Sequence, residues 1–301
     1  MTNLSKALDE IRDGLSSGTI APYLGPGVLE LVPACPVPSS PGALAEKLVA
    51  KVTVPHKIRK NVTAAAQFIE NFKHRKTLTG LLAEAFRANV APTPLHYYLA
   101  NLTKKPLLIV DVWYDNAMET ALRETNGLSL RQAGDVECPA TGWGQVQGVS
   151  QAEHFGQWTH YFHSDGTAAD EAEGESWPTV LYKPLGGISP AANFLVSDSD
   201  FVEVLTEIDI QTPIPEVVKH LRTGTHFLFL GCRFGNQLER TFARQIIKRS
   251  SAKHWAVLSG ELTRNEARFL GEQGIQRIDM PLAEFVASLV GTVQEEVLSA
   301  A

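Results

Sequence analysis

Four short segments carry residues whose types and spacing could do chemistry. Gly25-Pro26-Gly27, followed by Val28, closes the short apolar run 19–24. A glycine turn straight after a strand lets the backbone approach a pyrophosphate. The turn lacks a third glycine and Pro26 brings no N–H, so a plain tight turn accounts for it equally. Asp111-Val112-Trp113-Tyr114-Asp115 ends the apolar run 107–112. A tryptophan there either stacks on a ligand or fills the crevice with core. Tyr182-Lys183-Pro184-Leu185-Gly186-Gly187 is by itself a turn, and Leu230-Gly231-Cys232-Arg233-Phe234 leaves the most apolar run of the chain. Arg233 could meet a phosphate or simply face solvent. Ser259, just after the late run 255–258, joins the candidate cofactor contacts.

A metal is not expected. His154, His160 and His163, with Cys138 and Asp165, are the only clustered ligand types, and H-x5-H-x2-H matches no known ligand pattern. The absence of any CxxC pair speaks against zinc. Three scattered cysteines, Cys35, Cys138 and Cys232, suit a reducing compartment and exclude a disulfide framework. The start of the chain does not read as a signal peptide. The uncharged stretch 31–45 is broken by four prolines and is too short for a bilayer, which needs about 20 apolar residues. A cytoplasmic protein is the expectation. The formal net charge of −6 gives no electrostatic case for nucleic acid or an anionic membrane.

The elements that must position these segments alternate between helix and strand. Helices are expected over 4–15, 42–52, 62–74, 77–89, from Pro94, and over 116–123, with strands at 19–24 and 107–112. After residue 178 come a strand at 179–183, a helix at 201–208 capped by Ser199 or Asp200, and a helix opened by Pro213 or Pro215. Strands at 225–231, 255–258 and 274–279 then alternate with helices at 235–250, from the Thr263–Glu266 capping box, and from Pro281. Strands separated by helices imply an α/β fold with a doubly wound parallel sheet, Rossmann-like. The core is expected at 1–123 and 179–301. Residues 124–178 read as an acidic insertion or small subdomain with loop character, because nine acidic residues face one basic residue between 124 and 180. Its Trp143, Trp158 and Trp177 are candidate anchors for a protein partner. The basic stripe Arg240, Arg244 and Lys248, on one helix face, is a second candidate surface.

In order and spacing, the four segments resemble the SIR2-like (sirtuin-fold) proteins, of the bacterial SIR2-like group rather than the protein deacylases. Leu24-Gly25-Pro26-Gly27-Val28-Leu29 stands where that family has a Gly-Ala-Gly-x-Ser turn on the NAD phosphates. Pro94-Leu95-His96-Tyr97-Tyr98-Leu99-Ala100 matches its Pro-x-His-x-x-Leu-Ala helix. Asp111 to Asp115 stands for Thr-Thr-Asn-Tyr-Asp, and Lys183-Pro184-Leu185-Gly186 for Lys-x-His-Gly. The resemblance implies NAD or ADP-ribose as ligand, with Gly25, Gly27, Val28, Trp113, Asp115, Gly231, Arg233 and Ser259 as contacts.

Three departures bear on activity. Trp113 replaces the family's ribose-contacting Asn. Leu185 replaces the general-base His and cannot accept a proton. Leu29 replaces the small hydroxyl residue of the turn. The expectation is a catalytically degenerate member, a pseudoenzyme that binds a nucleotide or a protein partner. The alternative is an NAD glycohydrolase of the bacterial defence type, in which Asp111, or else Asp115 or Tyr114, supplies the missing polar function.

Overall fold

The computed structural model describes residues 2–102, 107–132, 142–210 and 214–299, with side chains left out at 2–3, 126–132, 207–210 and 292–299. Cys138 and the acidic residues Asp135 and Glu137 lie outside the described residues.

The chain opens with α1 (Thr2–Ser17) and β1 (Ile20–Leu24), then a 3-10 turn over Pro26–Leu31. A helical group follows: α2 (Pro41–Lys51), α3 (Val62–Lys73), α4 (Arg75–Ala85) and α5 (Pro94–Asn101). Local chemistry sets these starts. The Ser40 hydroxyl accepts from Ala43 N before Pro41, and Asn61 Oδ1 accepts from the N–H groups of Thr63 and Ala64. At α5 the cap is reciprocal, because Thr93 N donates to His96 Nδ1 at 3.0 Å.

β2 (Leu107–Asp111) leads into α6 (Ala117–Gln132), which runs nine residues past the end of the 116–123 expected. β3 (Trp143–Gly148), β4 (Thr159–His163), β5 (Ala168–Ala169) and α7 (Glu171–Glu175) follow, then β6 (Thr179–Lys183) and the small pair β7 (Gly186–Gly187) and β8 (Asn193–Phe194). The last third runs α8 (Asp198–Ile210), α9 (Glu216–Arg222), β9 (His226–Leu230), α10 (Gln237–Ile247), β10 (His254–Val257), α11 (Arg264–Glu272), β11 (Ile275–Ile278) and α12 (Leu282–Ser299).

Nine strands form one sheet in the order β11-β10-β9-β1-β2-β6-β3-β4-β5. Every pairing from β11 to β3 is parallel, and only the β3–β4 and β4–β5 pairings of this sheet are antiparallel. Alternate residues of each strand enter opposite cores. Ile20, Ile109, Leu181, Leu228 and Trp255 pack against α1, α5, α6 and α12. Tyr23, Val110, Val180, Phe229 and Ala256 pack against α2 to α4 and α9 to α11. This is the expected α/β, doubly wound, Rossmann-like arrangement.

Two local expectations are corrected. The acidic segment does not have loop character throughout, because β3 pairs in parallel with β6 and places Trp143 in the core at 2% exposure. Trp143 is therefore not a surface anchor. The strand was hard to read because Gln145 and Gln147 make it look half-exposed, yet both are buried and donate to the Ser189 carbonyl. The cap of α8 is Ser197, not Ser199 or Asp200. Its hydroxyl accepts from Asp200 N at 3.2 Å, while Asp200 Oδ2 accepts from Val196 N and Ser197 N.

Candidate functional site

The chain leaves β1 toward β2 on one side and returns through β9 on the other, so the strand order reverses at β1. In open α/β sheets, ligands sit at such a switch point beyond the carboxyl ends of the strands. A cavity of about 180 Å³ lies there. Its wall is mainly apolar, lined by Trp113, Leu185, Phe201, Leu238 and Phe242 among others.

The glycine turn borders this cavity, and its backbone donors already have partners. Gly25 N donates to the Leu230 carbonyl and Gly27 N to the Gly231 carbonyl, each at 2.9 Å, while Val28 N donates to the Gly25 carbonyl at 3.1 Å. Pro26 has no N–H. No donor from 25 to 28 remains for a phosphate. The glycines serve a different close approach. A Cβ on Gly25 or Gly27 would meet the Gly231 carbonyl oxygen at 2.6 or 2.8 Å, and Gly231 itself holds φ +63° against Val28 N. Val28 and Leu29 are buried below the turn.

The remaining candidates divide. Trp113 lines the cavity, donates Nε1 to the Pro38 carbonyl at 2.7 Å and packs its ring against Phe86 and Tyr114. Tyr114 also lines the cavity, with its hydroxyl held by the Leu195 carbonyl at 2.7 Å. Asp111 does not reach the cavity. It is buried beneath, where Lys183 Nζ donates to it at 2.5 Å and also to the Asp115 carbonyl at 3.0 Å. Burial pushes the Asp111 carboxyl up to about 6, with Lys183 opposing and Asp115 adding to the rise. Asp115 is buried too, and its carboxylate accepts from Ala117 N at the start of α6.

Arg233 lines the cavity, but its guanidinium is engaged away from it. It pairs with Glu266 at 3.1 Å and donates to the carbonyls of Ser259 and Glu261. Ser259 is exposed and does not line the cavity.

Sequence reasoning missed two carboxylates, Glu30 and Glu239, on the cavity wall. The Asn236-to-Glu239 spacing was a visible signal, since it is a capping box at α10. Asn236 Oδ1 accepts from Glu239 N at 2.8 Å, and Glu239 Oε2 accepts from Asn236 N at 3.3 Å. In a Rossmann-like sheet this helix N-terminus is where an anion would dock. Here the chain supplies the anion from its own side chain.

The other expected surfaces are placed as follows. Arg240 turns back to the carbonyls of Phe234 and Gly235, leaving Arg244 and Lys248 exposed. Trp158 and Trp177 are half-buried, and Phe155, three residues before Trp158, is 94% exposed. His154 bonds Asn193 and His160 bonds Gln157. Among the described residues no group of three His, Cys, Asp or Glu side chains could hold a metal ion. Among those residues no helix is long and apolar enough to cross a membrane.

The fold and crevice define an α/β protein of Rossmann-like architecture. A sequence profile of the SIR2-like domain matches residues 107–278, more than half of the chain, so the protein belongs to the SIR2-like domain family. A solved structure from work on the mechanism and regulation of Sir2 enzymes is similar over 98% of this chain and 99% of its own, at 14% identity and a TM-score of 0.40. No curated protein matches the chain in sequence.

Proposed function

We propose that this SIR2-like protein acts by binding, without turning over NAD. The observation that carries this reading is the hydrogen-bonded state of the turn 25–28, whose N–H groups are committed to Leu230, Gly231 and Gly25. A dinucleotide needs that turn for its pyrophosphate. Further support comes from the cavity size. About 180 Å³ is below the ~300 Å³ at which small-molecule pockets usually begin. Two carboxylates line the wall, and the one arginine there is paired with Glu266.

The general-base position supports the same reading. Leu185 is apolar, and the two acids at and just after the end of β2 are engaged elsewhere, Asp111 with Lys183 and Asp115 at the start of α6. A glycohydrolase would require one of them to reach a ribose hydroxyl, within about 3 Å.

The experiment is calorimetric titration of the purified protein with NAD and with ADP-ribose, following nicotinamide release in the same samples. The expected result is no release, and no saturable heat from either compound. Nicotinamide release that falls when Asp111 is replaced by Asn, with the fold intact, would overturn the proposal in favour of the glycohydrolase. Saturable binding of either compound without release would leave the protein non-catalytic but make the crevice a nucleotide sensor.

A further inference from the structure

The crevice has a charge pattern opposite to that of a phosphate site. Glu239 projects from the first turn of α10 onto the cavity wall, and Glu30 stands at its rim on the 3-10 turn. Neither carboxylate has an ion pair within 4 Å among the described residues, whereas the neighbouring Arg233 is matched by Glu266. Burial pushes the Glu239 carboxyl up from its ordinary value, against hydrogen bonds from Asn236 N and Gly235 N, with Glu266 adding to the rise and the nearby Arg240 opposing it. A partly desolvated carboxylate without a direct ion pair gains from a cation in contact with it.

The rest of the wall selects by shape and polarity. Trp113, Leu185, Phe201, Leu238 and Phe242 offer apolar surface, and the indole nitrogen of Trp113 is already bonded to Pro38. A dry cavity of about 150 Å³ is enough to hold one benzene ring, so about 180 Å³ holds one ring and a short substituent.

We infer that the crevice binds a small apolar ammonium compound, an aryl- or alkylamine whose ring or chain fills the cavity and whose ammonium group meets Glu239. This assignment rests on the reading that the crevice does not hold a dinucleotide. The ammonium group donates to the Glu239 carboxylate, whose Oε2 also accepts from Asn236 N in the capping box. The aromatic walls add attraction for a cation held near them. An anion of the same shape would face Glu239 and Glu30 with no free cation on the wall.

Three probes of one ring each separate the terms: benzylamine, benzyl alcohol and benzoate, the first a cation and the last an anion at neutral pH. Binding is followed by tryptophan fluorescence and by ligand-observed NMR. Benzylamine should bind tightest and benzoate weakest. Glu239→Gln keeps the capping acceptor and the shape. It should weaken benzylamine about tenfold while leaving benzyl alcohol unchanged. The unchanged alcohol reports that the cavity is intact in the variant. Benzoate binding as tightly as benzylamine, an amine preference that survives Glu239→Gln, or no binding of any ring would each overturn the inference. NAD is titrated in the same series. Saturable NAD binding would overturn the underlying reading, whereas silent NAD together with silent amines would remove only the ligand class.

Discussion

Asp111 and Lys183 close on each other beneath the crevice, with Lys183 only 1% exposed. Such a pair contributes little net stability, but removing one partner leaves a buried charge alone. Asp111→Ala should therefore destabilise the fold by about 3–5 kcal/mol. Asp111→Asn, which can still accept from Lys183, should cost less. Urea midpoints of the two variants check this, and equal midpoints for Asp111→Ala and wild type would refute it. The sequence placed Asp111 at a strand end and Lys183 at another, and no more. That they pair follows from β2 and β6 being parallel neighbours with Val110 opposite Tyr182, so the residues after them meet on one face. Likewise the glycine turn was legible as a turn, but the destination of its N–H groups was not. Their acceptors, Leu230 and Gly231, lie two hundred residues downstream.

At the scale of elements, Asp200 joins parts that are distant in sequence. At 2% exposure, its carboxylate accepts from Val196 N and Ser197 N at the head of α8, from the Ser150 hydroxyl at 2.6 Å, and from Arg75 at 2.8 Å in α4. Arg75 in turn pairs with Glu70 and Glu153. One side chain thus ties α8 to α4 and to the loop after β3. Asp200→Ala should cost about 3–5 kcal/mol. It should also speed hydrogen exchange at Val196 and Ser197 well before global unfolding. Exchange rates unchanged at those two amides would contradict the tie. Helix starts were the most legible elements, because Pro41, Pro94 and Thr263 with Glu266 cap by contacts within one turn. Ser197 was missed because its partner Asp200 also suited a cap of its own.

Across the whole molecule, two buried histidines set the response to acid. His96 accepts from Thr93 N and His254 accepts from Phe227 N, each through Nδ1 at 3.0 Å, so both rings are neutral in the fold. Burial pushes each down to about 4. In the unfolded chain both take a proton near their ordinary value of about 6.5. The unfolded chain then binds more protons between these limits, so stability is lost as pH falls from about 6.5 toward about 4. His96 alone accounts for up to about 3 kcal/mol of that loss. Asp111, raised by burial, acts in the opposite sense over part of the range and offsets some of it. His96→Asn, which keeps an acceptor for Thr93 N, should flatten the fall of the urea midpoint between about pH 7 and about pH 4.5. A slope identical to wild type would show that His96 does not carry it.

The ends of the nine-stranded sheet bear on how copies of the protein meet. Sheets aggregate through unpaired strand edges, which present rows of free backbone donors and acceptors. Here one edge is β5, two residues long, and the other is β11, four residues long and carrying the charged side chain of Arg277. Neither is long enough to template a strand from a second molecule. Crowded copies of this chain would touch through side chains such as Phe155, and those contacts come apart on dilution where a shared sheet would not.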